Sequence, residues 1–249
     1  SLYYEVNGAG TANVAKAAEI NNIKKIIFTS TVAVYGLNKG KSDEAQIPDP
    51  FNDYGKSKLE GEKHLQEWAQ KNPANSAVIV RPVVVFGENN RGNVYNLINQ
   101  ISRGKFIMIG KGGNKKSMAY VGNVAAFLKH CLNEKAGCQT YNYADKPDFT
   151  TKELTDIIYK SLGQEKPSLA LPYPVGLTAG YAFDALAKIS GKKLPISSIR
   201  VQKFCADTVV AAEKCFQTGF VPAYTLNEGV RRMIDHDFSD RKQETRKAA

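Results

Sequence analysis

Ile26-Ile27-Phe28-Thr29-Ser30-Thr31 is the stretch whose reading decides the fold. Its first three residues form a short, continuously apolar run of strong β-formers. Residues 13–21 before it are predicted to be helical, with Val14, Ala17, Ala18 and Ile20 as the apolar positions. A helix that feeds a wholly apolar strand is the unit of a parallel α/β sheet. Thr29-Ser30-Thr31 then stands at the carboxyl end of that strand, where open α/β sheets place their chemistry.

Working outward, residues 37–53 are polar, hold Pro48 and Pro50, and are predicted to be a loop. Residues 54–71 have a helical period, with Leu59, Glu62-Lys63, Leu65 and Trp68 in phase. Residues 77–86 are a second buried strand that must end or bulge at Pro82, because proline removes a ladder donor. Further helices are expected over 94–103, 123–132 and from Thr150-Thr151 with Glu153, and short strands over 106–109 and 140–143. Residues 111–117 are a glycine- and lysine-rich turn, and residues 163–174 a linker to a helical, loop-rich end with a frayed tail from Ser239. The expected fold is a Rossmann-like doubly wound parallel sheet over residues 1–162, with 87–117 contributing to a substrate site. A smaller, mostly helical substrate region is expected over 163–249.

The chemistry-bearing feature is Tyr54-Gly55-Lys56-Ser57-Lys58. A tyrosine and a lysine four apart share one helix face. A phenol has a pKa of about 10 and is a poor base at neutral pH, so it needs a nearby cation to act as one. With a strand-end hydroxyl beside them, Tyr and Lys make a proton-transfer device for an alcohol. Taken singly, each of these residues is equally at home as a helix-start tyrosine, a solvated lysine or an ordinary strand end.

Four motifs fall in one order. They are Tyr4-x-x-Asn7-x-x-Gly10-Thr11, then Ile26–Thr31 running to Val34-Tyr35-Gly36, then Pro50-x-x-x-Tyr54-x-x-x-Lys58-x-x-x-Glu62, then Arg81-Pro82-x-x-x-Phe86-Gly87. In that order they resemble the extended short-chain dehydrogenases/reductases, the nucleotide-sugar epimerases and dehydratases, over nearly the whole chain. The resemblance implies that Tyr54 is the catalytic acid/base and that Lys58 binds the nicotinamide ribose and lowers the tyrosine pKa. It implies that Thr31 hydrogen-bonds the reacting oxygen. It also implies NAD or NADP as cofactor, held by Asn7, Thr29, Ser30, Tyr54, Lys58, Arg81, Pro82 and Val83, and a homodimer.

The same resemblance places a diphosphate clamp in Gly110–Val121, where Lys116 and Ser117 stand for the usual arginine and aspartate. Lysine keeps the charge and loses the bidentate fork. Thr31, Val32, Asn93, Lys105, Lys116 and Arg200 are the expected substrate contacts. The expected reaction is epimerisation, dehydration or reduction of a nucleotide-linked sugar. Two alternatives stand beside it: a 3β-hydroxysteroid-type alcohol dehydrogenase, and a non-catalytic scaffold of the same fold. The family's opening strand and G-x-x-G-x-x-G turn, which cradle the pyrophosphate on backbone N–H groups, are not in this sequence. A preceding segment is therefore expected, and this stretch alone is expected to hold cofactor poorly and turn over little.

The bulk properties set the outer limits. The chain has 249 residues, 43% apolar and 23% charged, enough for a sizeable core. Its net charge of +10 is scattered rather than striped among aromatic platforms, which argues against a nucleic-acid binder and suits an anionic small substrate. Cys131, Cys138, Cys205 and Cys215 make no C-x-x-C pair, and His64, His130 and His236 are isolated, so no metal site is expected. Free cysteines and the absence of a leader pattern point to the cytoplasm. Residues 169–189 are the least polar late segment, but Pro172, Pro174, Asp184 and Lys188 argue against a membrane span. An amphipathic helix packed on the domain, or one resting on a membrane surface, are the readings left.

Overall fold

The computed structural model describes residues 1–36, 42–191 and 197–240. Parts of the expected 37–53 loop, of the Leu194–Arg200 stretch and of the tail lie outside the described residues. The strands are β1 Lys25–Thr29, β2 Ser76–Pro82, β3 Val84–Phe86, β4 Met108–Ile109, β5 Lys115–Tyr120, β6 Gly137–Tyr143, β7 Asp145–Thr150 and β8 Ala170–Leu171. The helices are α1 Gly10–Ile20, α2 Asp53–Gln70, α3 Asn93–Ser102, α4 Val121–His130, α5 Thr151–Leu162, α6 Tyr173–Ser190, α7 Ser198–Cys205, α8 Glu213–Gln217 and α9 Leu226–Asp237.

The chain forms two compact units that are interleaved in sequence. The first comprises residues 1–85, 117–146 and 209–226, the second 86–116, 147–208 and 227–249.

The first unit carries the parallel sheet expected from Ile26–Thr31. Its order is β1-β2-β6, with Lys25 opposite Ser76 and Ser76 opposite Gly137. β2 is central and buried at every residue, as a strand covered on both faces must be. Ala77 packs with Ala15 and Ala18 of α1 and with Leu65, Trp68 and Ala69 of α2. Val78 and Val80 join the other cluster, with Val124 and Phe127 of α4 and with Tyr141, Tyr143, Cys215 and Phe220. Alternate residues of one strand thus serve two helical layers. Pro82 is tolerated because β1 has already ended, at Thr29 opposite Val80. Its missing N–H deprives no neighbouring strand, and Val83 resumes the ladder by donating to the Tyr143 carbonyl at 3.1 Å.

Helix formation begins earlier than the period suggests, because a π-helical segment, Tyr4–Ala9, runs straight into α1. Its Gly8 lowers local helix propensity, and it sits where α2 passes closely. A Cβ on Gly8 would lie 2.5 Å from the Glu60 carboxylate, and one on Gly61 would lie 2.6 Å from the Asn7 carbonyl oxygen. The two helices therefore approach backbone to backbone.

In the second unit α3 buries Val94, Ile98 and Ile101. α5 buries Leu154, Ile158 and Leu162 behind a capping box made by Thr150 and Glu153, as its sequence predicts. β4 and β8 pair in parallel, Met108 opposite Ala170. The 163–174 linker therefore contains a strand and the first residues of α6. The turn expected over 111–117 ends earlier, where β5 begins at Lys115. β5 and β7 escaped sequence reading because Lys115-Lys116-Ser117 and Asp145–Thr150 are too polar to look like strands.

Candidate active site

The carboxyl ends of β1 and β2 gather most of the residues singled out above. Thr31 leaves the sheet in extended conformation and caps a 3-10 turn, Val32–Tyr35, its Oγ1 accepting from the Ala33 N–H at 3.1 Å. Asn52 caps α2 in the same way, its Oδ1 accepting from the Gly55 N–H at 2.8 Å. A Cβ at Gly55 would stand 2.7 Å from the Ala33 carbonyl oxygen and 2.9 Å from Pro50 Cβ. The glycine between Tyr54 and Lys58 is thus what lets the start of α2 press against the turn that Thr31 begins. Tyr54 remains more than a third exposed and meets the Tyr3 ring edge-on, centroids 5.8 Å apart.

Lys58 reaches back to β1. Its Nζ donates to the Thr29 carbonyl at 3.0 Å and sits 4.9 Å from the centre of the Phe28 ring. Burial pulls its pKa below the usual lysine value. An ammonium has three donors, so one bond to Thr29 leaves two. Asn7 donates from Nδ2 to Ser57 Oγ at 3.1 Å, and that hydroxyl donates to the Tyr54 carbonyl at 2.9 Å. Asn7, Ser57 and the Tyr54 carbonyl are one connected group, while Lys58 joins α2 to β1.

Beneath them lies a buried polar network. Glu62, wholly buried on α2, accepts from Ser30 Oγ at 2.5 Å, from Arg81 Nε at 2.9 Å and from Arg81 Nη2 at 2.5 Å. Arg81 Nη1 donates to Tyr35 Oη at 2.8 Å, and Tyr35 donates to Asn142 Oδ1 at 2.7 Å. Burial alone would lower the Arg81 pKa, but the Glu62 hydrogen bonds and charge outweigh it and hold it above its ordinary value. Burial likewise raises the Tyr35 phenol. Three Arg81 donors are therefore spent inside the protein, and Ser30 is spent with them. Pro82 and Val83 are also buried. Of the cofactor contacts expected from sequence, Asn7, Thr29, Tyr54 and Lys58 share this strand end, while Ser30 and Arg81 brace it from below. Sequence reading quoted Glu62 and Tyr35 without giving them a role. The available signal was a carboxylate one turn beyond Lys58, in phase with the apolar positions Leu65 and Trp68.

The remaining substrate candidates fall elsewhere. Val32 is half-buried in the 3-10 turn. Asn93, Lys105 and Arg200 are exposed in the second unit. Lys116 is turned onto the end of α7, donating to the carbonyls of Lys203 at 2.9 Å and Ala206 at 2.5 Å, and burial lowers its pKa. The second unit also holds a cavity of about 500 Å³ walled by the Gly110–Asn114 turn with Ile109, Tyr173, Gln202 and Cys205. Gly110 and Gly112 have φ of +73° and +67°, and this left-handed pair curls the turn around the opening. Lys111, rather than Lys116, is the cation on its wall. Among the described residues no group of three or more His, Cys, Asp or Glu could hold a metal ion.

A family model described as NAD dependent epimerase/dehydratase family matches residues 1–144. The chain belongs to that family. It is 53% identical over 246 residues to an N-acetyl-alpha-D-glucosaminyl-diphospho-ditrans,octacis-undecaprenol 4-epimerase of Escherichia coli O157:H7, covering 98% of this chain and 74% of the relative. It is 30% identical over 240 residues to a UDP-glucose 4-epimerase of Vibrio cholerae, covering 93% and 69%. Its fold matches the Thermotoga maritima UDP-glucose 4-epimerase structure with a TM-score of 0.71 at 18% identity, covering 95% and 71%. The chain is thus an NAD-dependent epimerase/dehydratase-type enzyme on a Rossmann-like scaffold.

The donor set fits one end of that cofactor. The free donors of Lys58, the Tyr54 hydroxyl and the Asn7 amide suit the diol and amide of a nicotinamide riboside. None of the ends of β1, β2 and β6 opens a helix through a G-x-x-G-x-x-G turn, so the described residues offer no pyrophosphate cradle.

Proposed function

We propose that the protein inverts C4 of an N-acetylhexosamine carried on a polyprenyl diphosphate, and that Tyr54 moves the proton. The observation that carries this reading is the pairing of Tyr54 and Lys58 on one turn of α2, with Lys58 anchored on Thr29 beside the Thr31 turn. The E. coli O157:H7 relative supports the choice of sugar and carrier. Its activity, and that of the V. cholerae relative, favours a glycosyl diphosphate over a 3β-hydroxysteroid.

NAD, when bound, supplies reversible oxidation of the C4 alcohol. The protein's residues do the rest. Thr31 Oγ1 accepts from Ala33 N–H, which leaves its own hydroxyl proton to donate to the substrate oxygen. Tyr54 Oη takes the C4 hydroxyl proton as the alcohol is oxidised and returns it when the sugar is reduced on its other face. Lys58, with one donor on Thr29, keeps two for the ribose and the phenolate, and its charge favours the deprotonated tyrosine. The Glu62–Arg81–Tyr35 network fixes the strand end so that little reorganises during proton transfer. Cytoplasmic residence and a homodimer belong to the same reading, and light scattering checks the second.

The test uses full-length protein with NAD and undecaprenyl-diphospho-N-acetylglucosamine, following the C4 epimer by NMR of the released sugar. Tyr54→Phe should lower turnover by roughly 10²–10⁴-fold with cofactor still bound. Unchanged turnover in that variant would remove Tyr54 from the chemistry. Turnover of UDP-sugars but not of the lipid-linked sugar would replace the carrier.

A further inference from the structure

α6 is an 18-residue helix whose apolar residues face the wrong way for a core helix. Its fully buried residues are Gly176 and Gly180, with Leu177 and Phe183 partly covered beside them. A Cβ on Gly176 would stand 2.6 Å from Ile109 Cγ2, and one on Gly180 would stand 2.8 Å from Ser198 Cα. Asp184 is on that side too, its Oδ2 accepting from the Ser198 N–H at 3.1 Å and from Ser198 Oγ at 2.5 Å. The outer face carries Val175, Ala179, Ala182, Leu186 and Ile189, spaced four and three apart so that they form one stripe. Val175 is 50% exposed, Leu186 54% and Ile189 84%. Tyr173 and Tyr181 are also exposed.

The polar groups on this surface are already satisfied by the helix itself. Thr178 Oγ1 donates to the Pro174 carbonyl at 2.7 Å, and Ser190 Oγ donates to the Leu186 carbonyl at 2.7 Å. No exposed position of α6 is acidic, and the cation it exposes, Lys188, stands in the last turn. Exposed Arg200 and Lys203 follow on α7, and Lys192-Lys193 lie between the two helices in sequence. An exposed apolar stripe of this length is unusual on a soluble surface. At 1.5 Å per residue α6 is about 27 Å long, yet no helix of the described residues is apolar enough to cross a membrane.

We propose that α6 lies along the surface of an anionic phospholipid bilayer, with the Val175–Ile189 stripe among the acyl chains near the headgroups. Charge complementarity selects this occupant: the exposed face of α6 has no carboxylate, its exposed charge is Lys188, and the chain carries a net +10. Exposed tyrosines suit the headgroup layer. The choice also rests on the lipid-linked substrate proposed above, whose polyprenyl chain is itself held in a bilayer.

The test is flotation of the full-length protein with phosphatidylglycerol–phosphatidylethanolamine vesicles. Wild-type protein should float with them and float less in high salt or with phosphatidylcholine alone. The double variant Leu186→Glu/Ile189→Glu should lose at least tenfold in vesicle affinity, with unchanged circular dichroism. Ile189→Trp should bind and shift its fluorescence to the blue on adding vesicles, a change that the wild-type protein with its buried Trp68 should not show. Failure of wild-type protein to float, equal flotation of the double variant, or its conversion of a dimer to a monomer would overturn the proposal, the last by showing a second copy on the stripe. The functional reading is separated by substrate. The double variant should keep wild-type turnover of water-soluble farnesyl-diphospho-N-acetylglucosamine and lose turnover of the vesicle-embedded undecaprenyl substrate. Vesicle binding with turnover of neither would support the docking surface and remove the lipid-linked epimerase reading.

Discussion

α2 and α6 are both 18 residues long, and they use their faces in opposite ways. α2 turns Leu65 and Trp68 into the core and buries a carboxylate, Glu62, with its partners around it. α6 turns glycines inward and leaves its aliphatic residues outside. Hydrophobic periodicity is the same kind of signal in both, so the period identifies an amphipathic helix without telling which side is covered. Cover depends on what fits. α6 is held by close backbone approach at Gly176 and Gly180 and by Asp184 on Ser198, and the Val175–Ile189 stripe stays exposed.

The largest expected effect falls on α2. Tyr54→Phe should lower turnover by roughly 10²–10⁴-fold while leaving the melting temperature unchanged, since the side chain is at an exposed site. Next, Glu62→Ala leaves Arg81 buried without its carboxylate. It should destabilise by about 3–5 kcal/mol in urea titrations. If Glu62→Ala cost under about 1 kcal/mol, α2 would not be pinned by its polar network.

Gly55→Ala and Gly180→Ala compare the two helices directly. Each puts a methyl within 3 Å of backbone, and each should cost about 1–3 kcal/mol. Gly55→Ala should also lower kcat, by moving Tyr54 relative to Thr31, whereas Gly180→Ala should leave kcat on a soluble substrate alone. Lys58→Met should abolish cofactor-dependent turnover and yet raise the melting temperature slightly, by under about 2 °C. Burial lowers the folded-state pKa of Lys58, so the folded state holds that proton less tightly than the unfolded chain. The penalty is full below the folded value and vanishes above the ordinary lysine value of about 10.4, so the gain should fade as pH rises toward it. The smallest effect is on α6. Ile189→Lys should change stability by no more than about 0.5 kcal/mol, because the side chain is exposed.

Much of the first unit was legible, as was one helix start in the second. Ile26–Phe28, the helix expected over 54–71, the break at Pro82 and the cap at Thr150 follow from local chemistry, and the structure has each of them. Tyr54 and Lys58 were legible for the same reason, since a spacing of four fixes one face. The position of Arg81 at a strand end was legible, but the direction of its side chain was not. Its guanidinium turns inward to Glu62, a choice that depends on a carboxylate 19 positions away. Lys116 shows the same limit, because its target is the end of α7, about 90 residues later.

The sequence by itself determined that a parallel sheet carries a tyrosine–lysine pair at a strand end, because those features depend on neighbours within a few residues. Tertiary structure alone decided that Gly55, Gly61 and Gly180 are contact points, that Glu62 and Arg81 brace the site, and that the α6 stripe faces out. Each of those outcomes depends on two backbones or two charges from distant segments meeting within a few ångströms, and no local pattern records that.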